Sequence, residues 1–561
     1  TGVWEAFAAG AGAGARYQYE VTDAAGRRTR KSDPVGFAGD LRPDTASRVW
    51  DLAARDWGDD AWLERRAGRD PRREPISMYE VHLGSWRHVR LADGSARWLT
   101  YREAAPLLAE HCRRFGFTHV EFLPLAEHPY DRSWGYQVSG YFAPTARYGT
   151  PDDLRALVDE LHGTGIGVIL DWVPAHFPRD EPGLAQFDGT SLYEHPDPRR
   201  GAHPDWGTLI FDYGRPQVRD FLISNARFWL ETYHVDGLRV DAVASMLYLD
   251  YSRGPGEWLP NEHGGNENLE AVSLLQQVNE RIAADFPGAF TVAEESTAWP
   301  RVTRPPSEDG LGFTFKWDLG WMHDTLDFFR AAPADRPSRH DRLTFRSVYA
   351  FSEAFVLPLS HDEVVHMKGS LLGKMPGDER ERFASLRALL GGMFTQPGKK
   401  LLFMGTELAS LAEWDESRAL PWHEADDPLR AAFGEFLRDL GTLYREHRVL
   451  WADDDDPTSF AWIDAGDVEN SVFIYRRGDP ARDHVVVIQS LGGQRQERYG
   501  VGFPRAGRYG VLIDSDRAAY GGSGDVAIEA LDAAPVPLRG QPASAEVILP
   551  PLTCLILRPE P

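Results

Sequence analysis

GLRVDAV (237–243), FTVAEES (290–296) and LPLSHDEVVH (357–366) follow one pattern: a short apolar run, then an acid, Asp241, Glu294 or Asp362. Apolar runs of this length, bounded by turn-forming residues, read as strands buried on both faces, the third of them as FVLPLS (355–360). Five more occur in the same stretch of chain: ISMYEVHLG (76–84), THVEFLPLA (118–126), GVILDWV (167–173), GFTFKWD (312–318) and KKLLFMGTE (399–407). Eight such strands alternating with helices predict an α/β fold, a (β/α)8 TIM barrel.

The intervening helices carry their own start and stop signals. Thr100 with Glu103 has the spacing of a capping box ahead of Leu107, Leu108 and Phe115, and Gly116 follows as a stop. Thr150, Pro151 and Asp153 open a second helix whose Leu154, Leu157, Val158 and Leu161 fall on one face. Leu269, Val272, Leu275, Val278 and Ile282 form a third stripe, and Asp427-Pro428 opens a last helix bearing Phe433, Leu437, Leu440 and Tyr444. These stripes are read as faces packed on the barrel.

Outside the barrel the periodicity changes to two. RYQYEV (16–21) before the turn-prone DAAGR reads as part of a β-sandwich. SVFIYRR (471–477), DHVVVIQSL (483–491) and AEVILPPLTCLIL (545–557) read as an antiparallel sandwich. The expected division is a partial N-terminal β-sandwich with linker at 1–70, the barrel at 71–452 and a C-terminal antiparallel β-sandwich at 453–561. The last boundary is placed at the acidic run Asp453–Asp456. The chain starts at Thr1, and strands earlier in the N-terminal sandwich are expected upstream.

A formal charge of −24, spread along 561 residues, repels nucleic acid and anionic membrane and favours a neutral partner. Cys112 and Cys554 are the only cysteines, so no disulfide framework is expected and a reducing cytoplasm fits. No run approaches ~18 consecutive apolar residues, and a monomer is expected.

Acids at the ends of neighbouring barrel strands converge on one face of the fold. Breaking an acetal needs a carboxylate nucleophile and a carboxylic acid that protonates the leaving oxygen, ~5–5.5 Å apart in a retaining site. Side chains alternate along a strand, so Arg239 and Asp241 share a side whereas Glu294 and Glu295 cannot both face the centre.

GVILDWVPAHF (167–177), GLRVDAV, FTVAEES and LPLSHDEV resemble the four short motifs of the α-amylase superfamily of retaining glycosidases and transglycosidases, over most of 76–450. Within it the chain resembles the 1,4-α-glucan (glycogen) branching enzymes, through HPYDRSWGYQVSGYFAPTARYGTP (128–151), HPDWGTLIFDYGR (203–215), EWLPNEHGGNENLEAV (257–272) and LPLSHDEVVHMKGSLLGKMPGD (357–378). The resemblance implies cleavage of α-1,4 bonds in glucan such as amylose or glycogen and transfer of the segment to a 6-hydroxyl. It also implies residue roles: Asp241 as nucleophile, Glu294 as general acid and base with a raised pKa, and Asp362 as the carboxylate on the distorted sugar's hydroxyls. Tyr136 would stack on the sugar, His176 and His361 would bind its hydroxyls, Arg239 would keep Asp241 ionised, and Asp171 would bind substrate or orient Arg239.

The four short motifs alone also fit a hydrolase, an α-amylase or an enzyme releasing trehalose from maltooligosyl-trehalose; the longer stretches favour branching. A glucan-binding protein on a barrel without activity is a further class, and the presence of all three acids argues against it. Where α-amylases carry an Asn that ligates calcium, this chain has Ala175, which offers no side-chain oxygen. Neither a metal nor a cofactor is therefore expected.

Overall fold

The computed structural model describes residues 6–560, so Val3–Glu5 of the N-terminal stretch lie outside the described residues. Eight strands close a barrel in sequential order: Ser77–Val81, His119–Phe122, Gly167–Trp172, Gly237–Val240, Phe290–Ala293, Phe315–Trp317, Phe355–Leu359 and Lys399–Phe403. Each lies within one of the eight runs read from the sequence. The runs extend further because the apolar pattern continues after the backbone has left the ladder. At the fourth strand, Ala242 takes a left-handed φ of 54° and a short helix, Val243–Leu247, begins. All four residues of Gly237–Val240 are buried, as a barrel wall covered on both faces requires.

The chain forms two compact units. One comprises 1–68, 82–109 and 122–294; the other comprises 69–81, 110–121 and 295–561. In the first unit, Arg16–Tyr17, Ser47–Arg48 and Ala38–Gly39 form a small antiparallel sheet, and Tyr19–Thr22 pairs with Arg28–Lys31 as a hairpin. Lys31 fastens this hairpin by donating from Nζ to the carbonyls of Glu181, Gly183 and Ala185. The segment that follows is fastened by a buried histidine: His162 lies between Asp59, 2.8 Å from Nδ1, and Asp236, 2.9 Å from Nε2, and stacks on Trp62. Burial pulls the His162 pKa down, but the charges and hydrogen bonds of Asp236 and Asp59 outweigh it and push it up to about 9.

The predicted caps are present. Thr100 and Glu103 exchange hydrogen bonds ahead of Tyr101–Phe115, and Thr150 with Asp153 forms a capping box on Pro151–Gly163. Leu107, expected on the first helix's packed face, is exposed; Ala104, Ala105, Leu108 and Cys112 form that face instead.

In the second unit, Gly116 has a φ of +76°, and its Cα side packs so closely on Gly441 that a Cβ would lie 2.6 Å from the Gly441 carbonyl carbon. Only glycine meets both demands. A six-stranded antiparallel sheet and a two-stranded one, Gln496–Phe503 with Ala543–Leu549, enclose a core that includes Val472, Ile488, Val501, Phe503 and Leu557. The acidic run before them is not a solvated spacer. Asp454, with 10% of its side chain exposed, lies between Lys399 of the eighth barrel strand, at 3.2 Å, and Arg477 of the sheet, at 2.9 Å. That ion-paired acid joins the two elements where the sequence suggested only a boundary.

Candidate active site

Within the first unit the site is organised around Arg239. It stands in the fourth strand, 1% exposed, and its guanidinium serves three carboxylates. Nη1 lies 2.9 Å from Asp171 Oδ2 and 3.1 Å from Asp241 Oδ1, and Nη2 lies 3.2 Å from Glu294 Oε2. Parallel pairing sets Asp171 directly beside Arg239, and Asp241 follows two residues on, on the same side. Burial alone would lower the pKa of Arg239, yet the charges of Asp171, Tyr136, Glu294 and Asp241 hold it well above its usual value. The guanidinium therefore remains charged.

Three carboxylates on one cation leave net negative charge in a poorly solvated place, a condition that favours a proton on one of them. Glu294 is the most exposed of the three, with 23% of its side chain open against 12% for Asp241 and none for Asp171. In the described conformation Glu294 Oε2 also accepts from the backbone N–H of Ala242 at 2.7 Å.

Asp171 and Arg239, both named from the sequence as site residues, are buried against each other. Tyr136 joins them. Its hydroxyl donates to Asp171 Oδ2 at 2.5 Å and its ring lies 5.7 Å from the Arg239 guanidinium, so at least part of this ring packs on the cation. His176 Nε2 is 3.8 Å from Asp241 Oδ2; burial, with the nearby His203, lowers its pKa to about 3 and keeps it neutral near pH 7. Next to it His203 stacks on Trp206 at 3.7 Å, and that indole remains 40% exposed. Sequence reading left Trp206 unassigned among 18 tryptophans. The signal for it is its place in the HPDW segment.

Within the second unit, His361 follows the seventh strand and is fixed from behind by a residue the sequence reading missed. Glu80, fully buried in the first strand, accepts from the His361 backbone N–H at 2.9 Å and lies 2.6 Å from its Nδ1. His361 Nε2 is in turn 3.6 Å from Asp362 Oδ1, and 44% of the Asp362 side chain is exposed. Glu295 is buried and pairs with Lys316 Nζ at 2.7 Å, while its Oε1 accepts from Thr297 N–H. Glu294 and Glu295 thus have different partners, as alternation along the strand requires.

Ala175 is buried, and its carbonyl accepts from the Tyr213 hydroxyl at 3.0 Å. Among the described residues no group of three or more His, Cys, Asp or Glu side chains is arranged to hold a metal.

A parallel eight-stranded barrel with strand-end acids and an antiparallel domain after it defines an α-amylase type of protein. Residues 110–185 match the α-amylase catalytic-domain model and 462–560 the α-amylase C-terminal all-beta domain. The α-amylase of Geobacillus thermoleovorans, solved with acarbose, superposes with a TM-score of 0.64 at 16% identity over 88% of this chain and 99% of that one, a likeness of fold. Over its full length the chain is 55% identical to the 1,4-alpha-glucan branching enzyme GlgB of Rubrobacter xylanophilus, covering 77% of it. It is 54% and 53% identical to those of Frankia casuarinae and Myxococcus xanthus, covering 68% and 76%. The chain belongs to the 1,4-alpha-glucan branching enzyme family.

Proposed function

We propose that this chain cuts an α-1,4 bond in a linear glucan and transfers the released segment to a 6-hydroxyl, through a glucosyl ester on Asp241. The observation that carries the reading is the Arg239 cluster, in which one buried cation holds Asp241 and Glu294 together. A retaining site needs two carboxyls held close in this way.

In the first step the Asp241 carboxylate attacks the anomeric carbon, the α-1,4 bond breaks, and protonated Glu294 gives its proton to the departing O4. In the second, Glu294 takes the proton of an acceptor 6-hydroxyl, whose oxygen attacks the ester carbon, forms an α-1,6 bond and frees Asp241. One bond is broken and one is made, and no water is consumed. Arg239 keeps Asp241 ionised, Asp171 and Tyr136 orient Arg239, neutral His176 offers a hydrogen bond to the sugar, and Trp206 an aromatic face. Asp362, backed by His361, binds hydroxyls of the distorted ring. The enzyme is proposed to work as a cytoplasmic monomer; no helix among the described residues is long and apolar enough to cross a membrane. The division at 70 and 452 is retained as the domain proposal.

The test uses amylose. Branching lowers the iodine-complex absorbance without a matching rise in reducing ends, and a debranching enzyme then releases short linear chains. A fluorinated glucosyl inhibitor should label Asp241, and Asp241→Asn should lower the rate by about 10⁴-fold with little change in melting temperature. Reducing sugar rising in step with loss of iodine colour would establish hydrolysis instead, and a label on Glu294 would overturn the role assignment.

A further inference from the structure

After Asp362 the backbone makes a turn that side chains rarely tolerate. His366 and Met367 are both left-handed, with φ of 56° and 66°, followed by Gly369 at 71°, and the Met367 side chain stands 97% exposed at the tip. Two successive non-glycine residues in that region cost about 1–2 kcal/mol each, so the loop persists only if its surroundings hold it.

Two side chains from elsewhere do so. Lys374, 8% exposed, donates from Nζ to the carbonyls of Glu363 at 2.5 Å, Lys368 at 2.8 Å and Gly369 at 2.5 Å. Glu413 accepts from the N–H of Met367 at 2.9 Å with one oxygen and from that of Gly369 at 2.7 Å with the other. Five backbone groups of residues 363–369 are thus fixed by one ammonium and one carboxylate. Within the loop, Lys368 Nζ donates to the carbonyl of Asp362 itself at 2.6 Å.

We propose that Lys374 and Glu413 are positioning residues for the reaction, a two-ended clamp on the 363–369 loop that sets the orientation of the half-exposed Asp362. This rests on the role given to Asp362 above and adds to it the parts that hold the acid in place.

The clamp has a chemical limit. Its three carbonyls require three N–H donors, which only the ammonium supplies. Burial lowers the Lys374 pKa from 10.5 to about 8; Arg330 and Lys368 add to the effect, and Glu363 and Glu413 oppose it. Raising the pH through that value removes a donor and loosens the loop. Global stability responds with the opposite sign. Between pH 8 and 10.5 the unfolded chain holds the Lys374 proton more tightly than the folded one, so this group's contribution to folding becomes more favourable as pH rises. A loss of turnover without a loss of melting temperature is the mark of positioning rather than of folding.

The test measures kcat, KM and melting temperature from pH 6.5 to 9.5 for the full chain and for Lys374→Met, Glu413→Gln and Asp362→Asn. Lys374→Met should lower kcat about 10-fold or more at pH 7 with KM changed less than 3-fold. The wild-type to Lys374→Met ratio of kcat should then fall towards one above pH 9. Glu413→Gln, whose amide retains one acceptor, should lose several-fold in kcat at every pH. If both clamp variants matched wild type, or if the Lys374→Met ratio stayed constant with pH, the positioning role would be overturned. Should Lys374→Met fail to fold, Glu413→Gln and the wild-type comparison of kcat against melting temperature decide the matter. Asp362→Asn separates the two levels: if it stayed fully active, the reading of Asp362 would fail, whereas its inactivity beside unaffected clamp variants would remove the clamp alone.

Discussion

Asp241 emerges from its strand with 12% of its side chain exposed and an oxygen 3.1 Å from a buried guanidinium, whereas Asp362 emerges with 44% exposed behind a histidine fastened to Glu80. The first is held by charge, through an arginine in its own strand that also reaches Asp171 and Glu294. The second is held by backbone, through a loop whose carbonyls and amides are gripped by Lys374 and Glu413. In the role proposed for it, Asp241 must keep its ionisation as well as its place, and a nearby cation gives both. In the role proposed for Asp362, contact with sugar hydroxyls calls for orientation and access, and a braced loop provides them without burying the acid.

The sharpest way to break this comparison is Arg239→Met. It would leave three carboxylates in a buried site without their cation, so activity should fall by roughly 10³-fold or more and stability by about 3–5 kcal/mol. A branching assay and a thermal melt check the two halves. Activity within tenfold of wild type would mean that Asp241 does not depend on the charge network.

A pair of neighbouring substitutions refines the same point. Glu294→Gln should cost about 10²–10⁴-fold in rate and little stability. Glu295→Gln should do the reverse, because Lys316 would be left buried without its 2.7 Å partner, and a loss of about 3–5 kcal/mol is expected. Assay and melt on both proteins suffice, and equal effects on activity would show that the two acids are not assigned to different tasks.

The smallest expected effect is none. With alanine at 175 and its carbonyl bonded to Tyr213, EDTA should change neither activity nor melting temperature. A drop reversed by calcium and not by magnesium would place a structural cation beside His176 and add a second cation to the Arg239 cluster.

Much of this was legible along the chain. The eight strands, the caps at Thr100 and Thr150 and the separation of Glu294 from Glu295 follow from spacing, because backbone periodicity and nearest hydrogen bonds act over a few residues. Leu107 was misread for the complementary reason: helical spacing names a face, but packing decides how far around the helix that face extends. Trp206 could be located only by its segment, since composition gives no hint which of 18 indoles is exposed.

By itself the sequence determined the barrel, the antiparallel domain after it and the acids at the strand ends, since these rest on local pattern and chain order. Only the tertiary structure decided which partners those acids have. Arg239 is shared by three carboxylates, Glu80 stands behind a histidine 281 residues away, and Asp454 is paired with two cations within a run read as a domain boundary. Such pairings depend on which side chains the packed fold brings within hydrogen-bond reach. The free energy of burying a charge then favours arrangements in which each one has a partner, and that selection leaves no periodic trace in the sequence.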